Sequence, residues 1–294
     1  MKLTVFTPTY NRAYLLPRLY ESLKKQTNKN FIWLVIDDGS TDETKELIED
    51  WCKENILQIR YLYKDNQGMH SGHNWAYDNI DTEYNVCIDS DDMMPLKAVE
   101  IILEEISKID SDDISGIVGL DQDVNGKVIG GEFPKGLDRL KLYEVYQKYG
   151  LTGDRKLVYK TKLMQEIPPY PIYENEKFVP LDYKFLLLDQ KYDLIPINKI
   201  LCTVEYQEDG STKNILKQYR ENPRGFTFSR ISRINLGYSL MEKIKNSIHL
   251  ISSVLFSKDY NSIFRTKHTL LVLSVFPLGI LLYIYIRLKT KSHL

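Results

Sequence analysis

Ile88-Asp89-Ser90-Asp91-Asp92 places three carboxylates directly after an apolar run. Alternate residues of an extended segment share a face, so Asp89 and Asp91 can enter one crevice together. Two hard oxygen donors at that spacing suit Mg2+ or Mn2+ bridging to a diphosphate. The same residues also read as a solvated strand end with an aspartate capping the next helix, because a bare Asp-x-Asp is common. A second acidic pair, Asp37-Asp38, follows the apolar run Phe31–Ile36. A carboxylate there can hold a ribose hydroxyl or a base edge, as acidic residues do in other nucleotide-binding sheets.

The elements that must carry these residues alternate along the chain. Leu3–Phe6 reads as a strand ending at Thr7-Pro8-Thr9, and Leu15, Leu19 and Leu23 recur at helical spacing with Pro17 in the first turn. Phe31–Ile36 is a second strand, after which Thr41 or Asp42 can cap a helix through Leu47, Ile48 and Trp51. Ile59–Tyr63, Tyr84–Ile88 and Ile114–Leu120 read as further strands, separated by helices over 72–79 and from Pro95 onward. Asn125-Gly126 marks a hairpin turn. Such alternation predicts an α/β domain with a parallel sheet and helices on both faces, with ligands at the carboxyl ends of its strands. Each of those ends carries polar residues: Thr7 and Thr9, Asp37 and Asp38, Asp65 and Asn66, Asp89 and Asp91.

Taken in order, Thr7-Pro8-Thr9-Tyr10-Asn11-Arg12, Asp37-Asp38-Gly39-Ser40-Thr41-Asp42, Asn66-Gln67-Gly68 with Asn74, and Asp89-Ser90-Asp91-Asp92 resemble the family 2 glycosyltransferases. The resemblance is strong over residues 1–120 and looser over 121–212. It implies the A-type glycosyltransferase fold, a Rossmann-like sheet with an acceptor-side subdomain. It also implies inversion at the transferred sugar and a nucleotide-diphosphate-sugar donor, a UDP-sugar first among them. By position, Thr7, Pro8, Thr9, Tyr10, Asn11 and Arg12 would line the nucleotide pocket, and Asp38 would hold uracil or ribose. Asn66, Asp89 and Ser90 would approach the donor, and Asp91, with Asp89, would bind the metal. His70 and His73 fall near the expected diphosphate position and read equally well as plain surface residues.

A leaving diphosphate develops negative charge that a divalent ion neutralises. Attack from the opposite face requires one carboxylate to accept the acceptor hydroxyl's proton. The resemblance puts that base in Glu176-Lys177-Phe178-Val179-Pro180-Leu181-Asp182, where Leu181 stands at a position many relatives fill with an acid. Asp182 is the candidate base, with Glu176 as the alternative and a helix N-cap as the bland reading of Asp182. Tyr206 with Gly210-Ser211 resembles a later family element near the acceptor. Processive relatives carry Gln-x-x-Arg-Trp, and no tryptophan follows Trp75, so one sugar per acceptor is expected.

Composition bounds the remaining choices. With 43% hydrophobic and 27% charged residues the chain has enough apolar surface for a core, which excludes a disordered protein. Cys52, Cys87 and Cys202 form no Cys-x-x-Cys pair, so neither a disulfide framework nor a thiolate metal site is expected. Met1-Lys2 leads straight into a strand-like run, and no signal peptide is expected there. The net charge of −1 conceals a division, because residues 211–294 hold 14 Lys and Arg against 3 Asp and Glu. That stretch contains the uncharged segment Thr269–Ile286, bordered by Arg265, Lys267, Arg287 and Lys289. A segment of that length is at the lower limit for a membrane span, and Pro277 and Gly279 equally suit a kinked or re-entrant turn.

The expected organisation is therefore a nucleotide-sugar-binding part over 1–120, an acceptor-binding part over 121–212, and a basic helical tail over 213–294 whose segment 269–286 associates with a membrane. The expected activity is metal-dependent, inverting, non-processive transfer of one sugar to a saccharide acceptor. A lipid-linked oligosaccharide of bacterial surface-polysaccharide synthesis, met at the cytoplasmic face of the cell membrane, is the expected acceptor. Nucleic acid is not an expected partner, since the basic tail has no recognisable module for it. A nucleotidyltransferase is the rival enzyme, although residues 7–12 offer only Arg12 for a triphosphate. A catalytically silent nucleotide-sugar-binding membrane scaffold is the rival outside enzymology.

Overall fold

The computed structural model describes residues 1–205 and 214–290. In chain order the elements are β1 (Leu3–Thr9), α1 (Leu16–Lys24), β2 (Phe31–Asp37), α2 (Thr44–Glu54), β3 (Gln58–Tyr63), α3 (Met69–Asn79), β4 (Tyr84–Cys87) and α4 (Ala98–Ile106). There follow β5 (Ile114–Asp123), α5 (Leu142–Gln147), β6 (Arg155–Lys160), α6 (Thr161–Glu166), α7 (Asp182–Asp189) and β7 (Asp193–Val204). The last helices are α8 (Ile215–Glu221), α9 (Pro223–Leu236), α10 (Leu240–Ser257), α11 (Thr269–Ser274) and α12 (Phe276–Lys289).

Two compact units result. The first takes Met1–Asn66, Ser71–Pro169 and the chain from Lys191 through β7; the second takes Gln67–His70, Tyr170–Gln190 and the helices from α8 onward.

The first unit is built on a seven-stranded sheet in the order β3-β2-β1-β4-β6-β5-β7. The strands β1 and β2 are apolar and almost wholly buried, as sequences covered on both faces must be. Trp33, Tyr20 and Trp51 stack beneath them, the last two with ring centroids 4.2 Å apart. The expectation of a parallel sheet needs one correction: β6 runs antiparallel to both β4 and β5. The reason lies in the connection. The one helix between β5 and β6, the six-residue α5, is about 9 Å long and too short to carry the chain back along the ten-residue β5, so the chain re-enters from the end it left. The turn at Asn125-Gly126 does form a short hairpin, with Asp123 N–H donating to Lys127 O at 2.9 Å and Ile129 N–H to Asp121 O at 2.8 Å.

The start of α2 also differs from expectation. The helix begins at Thr44 and its capping position, Glu43, makes no side-chain cap. Asp42 nonetheless meets the expectation from one position further out: its Oδ1 accepts from Thr44 N–H at 3.2 Å and Thr44 Oγ1 at 2.6 Å, and its Oδ2 from Ala13 N–H at 3.0 Å. These hydrogen bonds hold the Asp42 carboxyl below its usual range against the opposing effect of burial.

The second unit is helical. A small core of Ile234, Leu250, Ile251, Val254, Ile263 and Val272 joins α9, α10 and α11. Ser239 caps α10 by accepting from Glu242 N–H at 3.1 Å. The uncharged segment Thr269–Ile286 is not one helix but two, broken at Val275, so Pro277 sits in the first turn of α12 and not at mid-helix. Among the described residues no helix is long and apolar enough to cross a membrane.

Candidate active site

Strands β1, β2 and β4 are adjacent and parallel, and their carboxyl ends bring three of the four motifs together. Thr9 pairs in register with Asp37, and Asp38 N–H donates to Thr9 O at 2.8 Å. The loop after β1 is stitched to the loop after β2. Asn11 takes a left-handed conformation, its N–H donates to Ser40 Oγ at 2.9 Å, and its side-chain oxygen accepts from Thr41 N–H at 2.7 Å. Gly39, at φ +85°, admits the loop after β3 alongside, since a Cβ there would lie 2.8 Å from Asn66 N.

The residues expected to line a nucleotide divide by exposure. Tyr10 is exposed, and Pro8, Asn11, Arg12 and Asn66 are partly so. Thr7 and Thr9 are buried; Thr7 Oγ1 accepts from Trp33 Nε1 at 3.1 Å. Asp38 is also buried, and its Oδ1 accepts from the buried Lys64 Nζ at 2.5 Å. Asp37 is engaged by Tyr61 and by Ser40 N–H, at 2.6 and 2.7 Å. Neither histidine is a surface residue: both are buried, and His73 packs edge-on against Phe6 with ring centroids 5.1 Å apart.

After β4 the chain turns at Asp89-Ser90-Asp91, with Asp92 N–H donating to Asp89 O at 3.1 Å. Asp89 is exposed, Asp91 half-buried, and Ser90 and Asp92 buried. Among the described residues no group of three His, Cys, Asp or Glu is placed to hold a metal. Two neighbouring carboxylates with solvent access fit a divalent ion that completes its shell with diphosphate and water, as Mg2+ characteristically does.

The sequence reading missed what lies beneath this turn. Lys156, on the reversed strand β6, is buried with Nζ 3.6 Å from Asp92 Oδ2, and Cys202 Sγ lies 3.4 Å from the same carboxylate oxygen. Asp121, at the end of β5, is fully buried, and neither of its carboxylate oxygens has a hydrogen-bond partner among the described residues. Burial pushes the Asp92 carboxyl up to about 7 and that of Asp121 up to about 6, each partly offset by Lys156. Burial lowers Lys156 in turn, and Cys202 and the carboxylates of Asp121, Asp92 and Asp89 more than reverse that. Only Asp121, as a charge at the end of an apolar strand, carried a readable signal in the sequence.

The acids expected to face an acceptor, Asp182 and Glu176, lie in the second unit. Asp182 is the first residue of α7, with Leu181 at the capping position. Its carboxylate accepts from Arg233 Nε at 2.6 Å and from Ser229 Oγ at 3.1 Å. Glu176 is more completely committed: buried, it accepts from Arg224 N–H, Arg224 Nε and Gly225 N–H at 3.1, 2.9 and 2.9 Å. It therefore caps the first turn of α9, where backbone N–H groups have no helical partner. Tyr206, Gly210 and Ser211 lie outside the described residues.

Comparison with known proteins reaches the same region of chemistry. An uncharacterized glycosyltransferase of Rickettsia felis is 40% identical over 103 residues, 35% of this chain. The chain's match spans only 17% of that relative's length. S. aureus TarS 1-349 in complex with UDP-GlcNAc superimposes with a TM-score of 0.63 at 20% identity, covering 95% of this chain and 79% of that 1-349 chain. The mannosyltransferase PcManGT of Pyrobaculum calidifontis, in complex with GDP-Man and Mn2+, gives 0.57 at 15% identity, covering 99% and 81%. These likenesses give the fold as the A-type glycosyltransferase kind. A family model described as glycosyl transferase family 2 matches residues 4–167, more than half of the chain. On that match the chain belongs to glycosyl transferase family 2.

Proposed function

We propose that the chain moves one sugar, with inversion, from a nucleotide-diphosphate sugar to a saccharide acceptor. The observation that carries this is the meeting of Thr9, Asp38 and Asp89-Ser90-Asp91 at the ends of three adjacent parallel strands, the place where open α/β sheets bind ligands. Residues 1–120 bind the donor and 121–212 the acceptor. Thr7–Arg12, Asp38, Asn66, Asp89 and Ser90 hold the donor, with Asp38 positioned by Lys64. A UDP-sugar is the first choice of donor, and the UDP-GlcNAc complex of TarS supports it.

Asp91, with Asp89, holds Mg2+ or Mn2+; the Mn2+ complex of PcManGT supports a divalent ion. When bound, the ion offsets negative charge on the departing diphosphate. Asp182 accepts the acceptor hydroxyl's proton, with Arg233 and Ser229 fixing its carboxylate. Glu176 is left a structural role by its three donors. One sugar is added per acceptor, a reading supported by the missing Gln-x-x-Arg-Trp. The acceptor is a lipid-linked oligosaccharide of bacterial surface glycan synthesis, reached from the cytoplasmic face of the cell membrane. The basic, apolar C-terminal helices support that location.

A catalytically silent nucleotide-sugar binder has one observation in its favour, the ion pair that occupies Asp182. Purified protein incubated with a panel of nucleotide sugars and Mn2+ separates the readings. Nucleoside diphosphate should appear with one donor above all others. Binding of a nucleotide sugar with no diphosphate release, with or without acceptor, would select the silent reading.

A further inference from the structure

The helix α12 has two unlike sides. Gly279 and Ile286 are buried, and Gly279 lets α10 approach so closely that a Cβ there would lie 2.4 Å from Ile251 Cβ. At its carboxyl end Arg220 of α8 donates to Thr290 O at 2.9 Å and to Thr290 Oγ1 at 3.2 Å. The helix is thus fixed to its own unit. Its other side carries Leu278, Leu281, Tyr285 and Leu288, exposed by 51%, 62%, 50% and 62%. At about 100° per residue these four fall within an arc of about 80°, roughly opposite Gly279 and Ile286. Phe264, Leu270 and Leu273, before α12 in the chain, are also exposed, Leu270 by 84%.

Charge says what covers this face. Arg287 and Lys289 are exposed, and on the same projection Lys289 lies about 20° beyond one edge of the apolar arc and Arg287 about 100° beyond the other. Arg265 and Lys267 are exposed just before α11. No acidic residue follows Asp259 in the chain. A second copy of the chain would bring the same positive rim against this one. A nucleic acid would leave the apolar arc without a partner. A bilayer bearing anionic lipids satisfies both, because apolar side chains enter the acyl boundary while basic side chains reach the headgroups. Length decides the orientation. Fourteen residues of helix extend about 21 Å, against a hydrocarbon core of about 30 Å.

We infer that α11 and α12 dock side-on onto an anionic bilayer, with Leu278, Leu281, Tyr285 and Leu288 as the inserted face, in place of a span or a re-entrant turn. The inference deepens the membrane location proposed above and so rests on that reading.

The test is flotation of the full-length protein with phosphatidylglycerol-containing vesicles and with pure phosphatidylcholine vesicles. The wild type should bind the anionic vesicles at least tenfold more strongly at low salt, and part of that binding should survive high salt. Leu281→Gln with Leu288→Gln should lower binding at least tenfold at either salt concentration. Arg287→Gln with Lys289→Gln should lower it several-fold at low salt only. Both pairs of substitutions lie on the surface, and unchanged circular dichroism checks the fold. The inference is overturned if the wild type stays unbound at low salt, if the leucine variant binds like the wild type, or if that variant merely turns a dimer into a monomer. Diphosphate release from the donor into water should be unaffected by the leucine pair. Its absence in every form would sink the sugar-transfer reading while leaving the vesicle result standing.

Discussion

Arg233 donates through Nε to Asp182 Oδ2 at 2.6 Å, and Ser229, one turn earlier on α9, donates to Asp182 Oδ1 at 3.1 Å. One helix thus aims the first carboxylate of another, and Glu176 is tied to the same α9 through its backbone N–H groups. The two acids share a neighbour and differ in what they can give up.

Asp182→Asn should abolish transfer and leave nucleotide affinity nearly unchanged, because a base contacts the acceptor and not the nucleotide. Calorimetry beside turnover measures both. Glu176→Gln should instead cost about 1–3 kcal/mol of stability, seen as a lower Tm, by weakening charged hydrogen bonds at a helix start. If Glu176→Gln abolishes transfer at an unchanged Tm, the two roles are reversed.

Asp91→Asn keeps the side chain's shape and removes a charge that a divalent ion needs. Turnover should fall by two to three decades, about 3–4 kcal/mol of transition-state stabilisation, with the fold intact. The affinity for Mn2+, followed by electron paramagnetic resonance, should fall in parallel. EDTA should silence the wild type, and EDTA-insensitive turnover in the variant would falsify the metal assignment.

Lys64→Met leaves the buried Asp38 carboxylate without its cation. Breaking a buried pair from one side costs about 3–5 kcal/mol, so the Tm should drop and nucleotide affinity with it. Adding Asp38→Asn should recover much of the Tm but not the affinity. Recovery of both would remove Asp38 from the donor site.

Asp121 gives a pH signature. Its folded-state carboxyl is pushed up to about 6 from an ordinary 3.8, so the native state binds this proton more tightly than the unfolded chain. The resulting stability is complete below pH 3.8 and is lost as the pH rises through 6. Asp121→Asn should therefore be more stable than the wild type at pH 7–8, by up to about 3 kcal/mol, with the advantage fading as the pH falls toward 4. A pH-independent difference in thermal unfolding would show that the carboxylate is not the titrating group.

Much of the proposed donor site was legible in the sequence because β1, β2 and β4 are short runs that end abruptly in polar residues. Period and punctuation alone place Thr9, Asp38 and Asp89 at strand ends. Lys156 was not legible: within Arg155-Lys156-Leu157-Val158 nothing local distinguishes an inward lysine, and only the reversal of β6 carries it under Asp92. Likewise, Glu176 reads as one acid among several until α9 supplies the N–H groups that occupy it. The uncharged stretch Thr269–Ile286 is interrupted at Val275, two residues before Pro277, the proline that suited a kink in the sequence.

The strand β5 is flanked by β6 and β7, and β7 is drawn from Asp193–Val204, far along the chain. Until Val204 has been made, one whole side of Ile114–Asp123 has no partner. At roughly 5–20 residues per second, a translating ribosome leaves that edge open for about 4–16 s. A ten-residue edge whose first seven residues, Ile114–Leu120, are mostly apolar and buried invites strand addition from another chain. Fragments trimmed to the donor motifs, ending anywhere from the close of β6 to the start of β7, should accumulate as aggregates, whereas a cut placed beyond Val204 closes the sheet and removes the hazard.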